Sequence, residues 1–158
     1  MIDPNSIQDS WAQITPEVKR LVDVFVSPNS VGRRYLLGCN EHSATLSKVI
    51  DIDGIVDDFA EAGTLWNGKP VIKGQDVPID AIIVNCSMSI MPISAHKRIE
   101  NLGIAGCLAY SDFCKVLPDF PLPNFVAATR TDVRENQIKY ETLRQYLFDD
   151  KSRQVLDD

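Results

Sequence analysis

The chain has 158 residues, of which 44% are hydrophobic and 24% charged. That is enough to bury one core, since single domains typically run to about 100–200 residues. The net charge of −6, with no Lys/Arg run to offset it, repels phosphate backbones and excludes nucleic acid as an expected partner. Residues 1–11 lack the basic and apolar regions of a signal peptide, and the longest apolar runs, such as residues 81–84, are far too short to span a bilayer. No membrane association is therefore expected, and a cytoplasmic location is.

Residues 5–25 read as helical. Thr15, Pro16 and Glu17 supply a capping residue, a proline for the first helical position and an acid for the first turn. Val18, Leu21, Val22 and Phe25 then share one face. Residues 27–30, Ser-Pro-Asn-Ser, end this piece. Residues 1–30 are thus expected as a helical appendage to the domain that begins at residue 31.

From residue 31 the pattern changes. Arg34-Tyr35-Leu36-Leu37 is a short apolar run followed at once by Gly38. Residues 40–50 read as a helix and residues 52–56 as a second strand, which ends at Asp57-Asp58. A loop with Trp66, Asn67 and Gly68 precedes a weak strand at residues 69–72. Residues 80–86 form the strongest strand, and residues 93–102 a helix stopped by Gly103. Residues 104–109 are the last strand; Ser111-Asp112 opens a short helix that Pro118 closes. Strands alternating with helices in this way specify βαβ units and a parallel sheet. Their near-continuous apolar character fits a sheet covered on both faces. The expected fold is α/β: a three-layer, Rossmann-like open parallel sheet of about five strands over residues 31–128.

Pro121 and Pro123 mark an extended stretch at residues 119–124. A long helix is expected after Thr129, capped by Thr131 or Asp132, with an apolar stripe of Val133, Tyr140, Leu143 and Leu147. A last helix from Lys151 is cut in mid-pattern. Residues 129–158 therefore read as a helical linker towards a further, C-terminal domain.

The first strand–turn–helix, Gly38-Cys39-Asn40-Glu41-His42-Ser43, stands where a dinucleotide fold carries Gly-x-Gly-x-x-Gly. The second glycine of that motif admits the pyrophosphate to the backbone. Here Asn40 fills the second glycine position and Ser43 the third. The Asn40 side chain occupies space that phosphates need, and Glu41 repels an anion. Asp57, however, falls about 20 residues after Gly38, the spacing of a ribose-binding acid; a plain turn is the alternative reading. The residues expected to line the crevice of a bound ligand are Gly38, Asn40, Asp57, Asn85 and Ser87; an empty crevice is the other reading.

The four cysteines, Cys39, Cys86, Cys107 and Cys114, include no Cys-x-x-Cys pair, and His42 and His96 are the only histidines. No metal site is expected, because structural zinc wants closely spaced ligand pairs. The thiols read as reduced core residues. Cys39 and Cys86 could meet across the first and fourth strands as a redox pair, or as a nucleophile with His42 as base, but no third orienting group is evident. No catalytic residue is assigned. His96 reads as a surface residue, and Trp66 as a stacking platform or a cover for the sheet edge.

Tyr35-Leu36-Leu37-Gly38, residues 52–58 (Ile-Asp-Gly-Ile-Val-Asp-Asp), residues 66–72 (Trp-Asn-Gly-Lys-Pro-Val-Ile) and residues 80–84 with Leu102-Gly103-Ile104 carry a resemblance. The chain resembles the N-terminal domain that precedes the catalytic domain in some bacterial FkbM-type methyltransferases. Those domains are similar to nucleotide-sugar-binding Rossmann modules of sugar acetyltransferases. Residues 147–153, Leu-Phe-Asp-Asp-Lys-Ser-Arg, look like the linker into such a methyltransferase domain. The (Asp/Glu)-x-Gly-x-Gly loop that binds S-adenosylmethionine is absent from this sequence, so no cofactor is expected in this chain. The resemblance implies that cofactor for a separate domain.

Three functions are consistent with these readings. The first is a non-catalytic accessory domain of such a methyltransferase, for substrate recognition or assembly. It implies the catalytic domain, a second copy of this chain or a saccharide as partner. The second is a nucleotide or nucleotide-sugar binding module. The third is a degenerate NAD(P)-type oxidoreductase.

Overall fold

The computed structural model describes residues 13–28, 32–61, 63–88, 92–104, 106–120, 122–147 and 149–152. The chain forms two compact units, one over Gln13–Phe120 and the other containing the stretch from residue 121 onwards.

The larger unit holds α1 (Pro16–Val26), β1 (Arg34–Leu37), α2 (Glu41–Leu46), β2 (Gly54–Val56), β3 (Leu65–Trp66), β4 (Lys69–Ile72), β5 (Ile82–Asn85), α3 (Pro92–Asn101), β6 (Gly106–Ala109) and α4 (Tyr110–Val116). The sheet order is β3-β4-β2-β1-β5-β6. All neighbours pair in parallel except β3, which runs antiparallel to β4. The five parallel strands therefore step outward from β1 in both directions, as in a Rossmann-like α/β sheet. Strand order reverses between β1 and β5, which places a crevice at their carboxyl ends.

The register explains the layers. Leu36 lies beside Ile55 and Val84, and Val84 beside Leu108. These buried residues line the face covered by α1 and α4, where Phe25 meets Phe113 edge-on at 6.0 Å. Tyr35, Leu37, Val56 and Ile83 line the opposite face, packed with Ile99 of α3 and with Ile104. Each such buried aliphatic side chain is worth about 1.5–3 kcal/mol relative to exposure.

The proline signal marks the true start of α1. Thr15 caps it, accepting from the Val18 amide at 3.2 Å. Residues 13–15 lie outside the helix, and residues 5–12 lie outside the described residues. The stretch around Trp66, expected as a loop, is a two-stranded hairpin. Asn67 (φ 48°) and Gly68 (φ 77°) give both central residues the left-handed backbone of a type I′ turn, and the sheet gains a sixth, edge strand.

The second unit differs from the sequence reading in two ways. Its first helix, α5 (Asn124–Glu135), starts directly after Pro123, five residues before Thr129. Thr131 lies inside it and donates its hydroxyl to the Ala127 carbonyl, so neither Thr131 nor Asp132 is a cap. The helix then breaks at Asn136, whose side-chain nitrogen donates to the backbone oxygen and carboxylate of Asp132. A side chain competing for backbone acceptors interrupts a helix in this way. A separate α6 (Gln137–Tyr146) comes next. Of the expected final helix, residues 150–152 are helical and residues 153–158 lie outside the described residues.

Gly54 sits where β2 passes closest to β4. A Cβ there would lie 2.7 Å from the Pro70 carbonyl oxygen and 3.3 Å from the Tyr35 ring. Backbone cannot yield as a side-chain tip can, so Gly54→Ala is expected to lower unfolding stability by about 1–3 kcal/mol, read as a lower urea midpoint with an unchanged slope.

Candidate functional site

Gly38, Asn40, Asp57, Asn85 and Ser87 all fall at the carboxyl edge of β1, β2 and β5. β1 is followed by Gly38, which turns the chain with φ +97° and donates its amide to the Val56 carbonyl at 2.9 Å. A side chain at that φ would be strained. The next two residues leave the sheet plane and open α2.

Asn40 is the N-cap of α2. Its Oδ1 accepts from the amides of His42 (3.0 Å) and Ser43 (3.1 Å). The Ser43 hydroxyl accepts from the Asn40 amide at 3.0 Å, closing a reciprocal capping box. The other end of the same side chain, Nδ2, reaches across the crevice and donates to the Cys86 carbonyl at 2.9 Å. One asparagine thus caps a helix and ties β1 to the end of β5. A Cβ on Gly38 would come within 3.0 Å of that Nδ2.

Asp57 does the same work between β1 and β2. Oδ2 accepts from the Cys39 amide at 3.1 Å, and Oδ1 from the amides of Phe59 (2.9 Å) and Ala60 (3.1 Å). Burial alone would raise this carboxyl. The three amides and the Cys39 thiol outweigh it and hold Asp57 below the usual carboxylate value. Asn85, nearly fully buried, accepts the Ser87 amide at 3.0 Å.

Beside this lies a latch that the sequence did not announce. Asp58 accepts the Gly74 amide at 2.9 Å and forms an ion pair with Arg98 of α3. Lys73 donates to the carbonyls of Asp58 and Ala60. The available signal was position: Lys73 and Gly74 directly follow β4, so they too fall at the carboxyl edge. Between these pinned flanks, Phe59 is 98% exposed.

The backbone donors that an anionic ligand would meet at this edge include the amides of Cys39, His42, Ser43, Phe59, Ala60 and Ser87. Each already has a side-chain acceptor from the chain itself. A phosphate or ribose would have to displace Asn40, Asp57 or Asn85 to reach them.

The sulfur chemistry is likewise quiet. None of the four cysteines forms a disulfide. Burial, and then the Asp57 charge, push the Cys39 thiol up to about 11, so it is protonated at neutral pH and a poor nucleophile. Cys86 is fully buried and raised further, by burial and then by Cys114. Its electrostatic neighbours are Cys114 and Tyr110, whereas that of Cys39 is Asp57. His42 stacks on Tyr110 at 4.8 Å.

His96, expected at the surface, is half-buried. Its Nδ1 lies 3.3 Å from the Cys107 sulfur and its Nε2 3.6 Å from Glu100. Burial, and then the Glu100 charge, raise the Cys107 thiol to about 12, so it stays protonated at neutral pH. Among the described residues no group of three or more His, Cys, Asp or Glu could hold a metal ion. None of their helices is long and apolar enough to cross a membrane.

Neither a family model nor a curated protein matches this sequence. In fold the chain is similar to the crystal structure of methyltransferase FkbM from Methylobacillus flagellatus KT, with a TM-score of 0.55 and 22% sequence identity. The likeness covers 98% of this chain and 47% of that chain, so this chain spans about half the length of the FkbM protein. At that identity the likeness is one of fold, a Rossmann-like α/β domain.

Asp57→Asn, which removes the charge and one acceptor, is expected to cost about 1–3 kcal/mol at neutral pH. The folded-state value of Asp57 lies below its unfolded reference of 3.8. Its contribution is therefore fully present above that reference and is lost as pH falls below it, through the folded value. Urea titrations of both proteins should show the gap closing in acid. A gap that is constant with pH would contradict the assignment.

Proposed function

We propose that this chain is a non-catalytic accessory domain of an FkbM-type methyltransferase, serving acceptor recognition or assembly. The observation that carries the reading is the extent of the fold match. It takes in 98% of this chain and only 47% of the FkbM protein, leaving about half of a methyltransferase for the transfer chemistry. Two features agree. Six crevice amides are held by the chain's own side chains, as suits a scaffold, and the sequence has no acidic Gly-x-Gly loop for S-adenosylmethionine.

The second unit supplies a surface for assembly. No residue of α6 is buried; Ile138 is 80% and Tyr146 68% exposed. A ten-residue helix without a packed face is marginal in water, where isolated helices shorter than about 12–15 residues rarely persist. Leu143, on the expected stripe, is 47% exposed and borders a shallow pocket with Asp132, Asn136, Lys139 and Tyr140. Tyr140 is fixed there by its hydroxyl donating to Asp132 at 2.6 Å. Phe59, rigidly presented and fully exposed, is a second contact point of the kind that anchors interfaces. The partners proposed are the catalytic domain of the methyltransferase and a second copy of this chain.

A nucleotide or nucleotide-sugar module is the second reading. It is favoured by one observation: Gly38, Asn40, Asp57, Asn85 and Ser87 converge on the carboxyl edge at the reversal of strand order, where open α/β sheets take ligands. Binding there would require Asn40 and Asp57 to exchange their internal bonds for ligand bonds.

Thermal unfolding with millimolar S-adenosylmethionine and a panel of nucleotide-sugars separates these readings. A ligand at 100 times its Kd stabilises the native state by about 2.7 kcal/mol. The accessory reading predicts no shift with S-adenosylmethionine, and a rise would overturn it. A rise with a nucleotide-sugar that Asp57→Asn abolishes would establish the second reading. Leu143→Asp is expected to leave the unfolding of the sheet unit unchanged and to abolish association seen by sedimentation. Association that survives it would contradict assembly through α6.

A further inference from the structure

The tip of the β3–β4 hairpin carries Asn67 followed by Gly68, the one Asn-Gly pair in the sequence. Both residues are exposed. A Cβ on Gly68 would meet nothing within 4 Å beyond its chain neighbours, so the turn stands in open space. Among the described residues no hydrogen bond engages the Gly68 amide. The strand that leads into the turn has two residues, Leu65 and Trp66, and pairs only with β4 at the edge of the sheet. Such a segment opens locally at little cost, so the turn can sample the backbone angles it does not hold at rest.

We propose that Asn67 is a site of spontaneous hydrolytic deamidation that remodels this edge of the sheet. The Gly68 amide nitrogen attacks Cγ of Asn67, forming a C–N bond and closing a five-membered succinimide. The Cγ–Nδ2 bond breaks, and ammonia leaves with the proton from the Gly68 nitrogen. Water then adds to either imide carbonyl, giving aspartate or isoaspartate. The only co-reactant is water, and nothing is oxidised or reduced. Glycine is the residue that permits this attack most freely, since it has no side chain to obstruct the ring closure.

The structural consequence comes from the turn. A two-residue I′ loop sets the pairing of Leu65 with Pro70 and of Trp66 with Lys69. Isoaspartate carries the main chain through the side-chain carbon and lengthens that loop by one atom. A two-residue strand has no alternative register to adopt, so β3 is released. The modification also adds one negative charge to a chain of net −6. Trp66 reports the change: its indole Nε1 is buried with no hydrogen-bond partner, and it gains solvent when the hairpin opens.

The test is to age the purified chain, with Trp11→Phe so that Trp66 is the one indole, in mildly alkaline buffer at physiological temperature. The peptide containing Asn67 should gain one mass unit and divide into aspartate and isoaspartate forms. Peptides containing Asn101 and Asn136 should stay unchanged over the same time. Tryptophan emission should move to longer wavelength in step with the isoaspartate form. Asn67→Gly keeps the left-handed turn and should abolish both changes. No mass gain at Asn67, a gain no faster than at Asn136, or isoaspartate formation with unchanged emission would each overturn the proposal.

Discussion

The arrangement at the carboxyl edge depends on two short polar side chains that bond in two directions at once. Asp57 collects the amides of Cys39, Phe59 and Ala60, and Asn40 joins the start of α2 to the end of β5. A parallel sheet needs its loops at one edge, and those loops bring backbone donors that must be paired or hydrated. In many α/β proteins a ligand does part of that pairing. Here the chain does it with its own carboxylate and amide.

That choice has consequences for both stability and function. Once β1, β2 and β5 are tied together at their ends, the apolar register below them fixes Leu36, Ile55, Val84 and Leu108 on one face. Tyr35, Leu37 and Ile83 are fixed on the other. The Lys73 and Arg98 latch extends the same rigidity to the loop that displays Phe59. A ligand entering this crevice would have to exchange those internal bonds for its own.

The central parallel strands β1, β2 and β5 were legible because both faces are buried, so each reads as an apolar run bounded by polar residues; β4, half-exposed at Lys69-Pro70, read only weakly. The start of α1 was legible because Thr15-Pro16 states it chemically. The β3 strand was not, because two residues carry no periodicity, yet Asn67-Gly68 was the available signal for a type I′ hairpin. The start of α5 was hidden because Pro123 offers no side-chain cap. The break at Asn136 was hidden because it arises from a side chain bonding back to Asp132. The site shows the same division. Sequence spacing brought Gly38, Asn40, Asp57, Asn85 and Ser87 to one edge, but it could not show that Asp57 spends its oxygens on the chain's own amides. Cys107 and His96 meet only through the packing of α3 on β6, which no linear pattern encodes.

The most direct test of internal satisfaction is amide hydrogen exchange on the free protein. The amides of Cys39, Phe59, Ala60 and Ser87 should be strongly protected with no ligand added, while the exposed Gly68 amide exchanges freely. Exchange of those four amides as fast as that of Gly68, with protection appearing only when a ligand is added, would contradict the account and identify an open binding crevice.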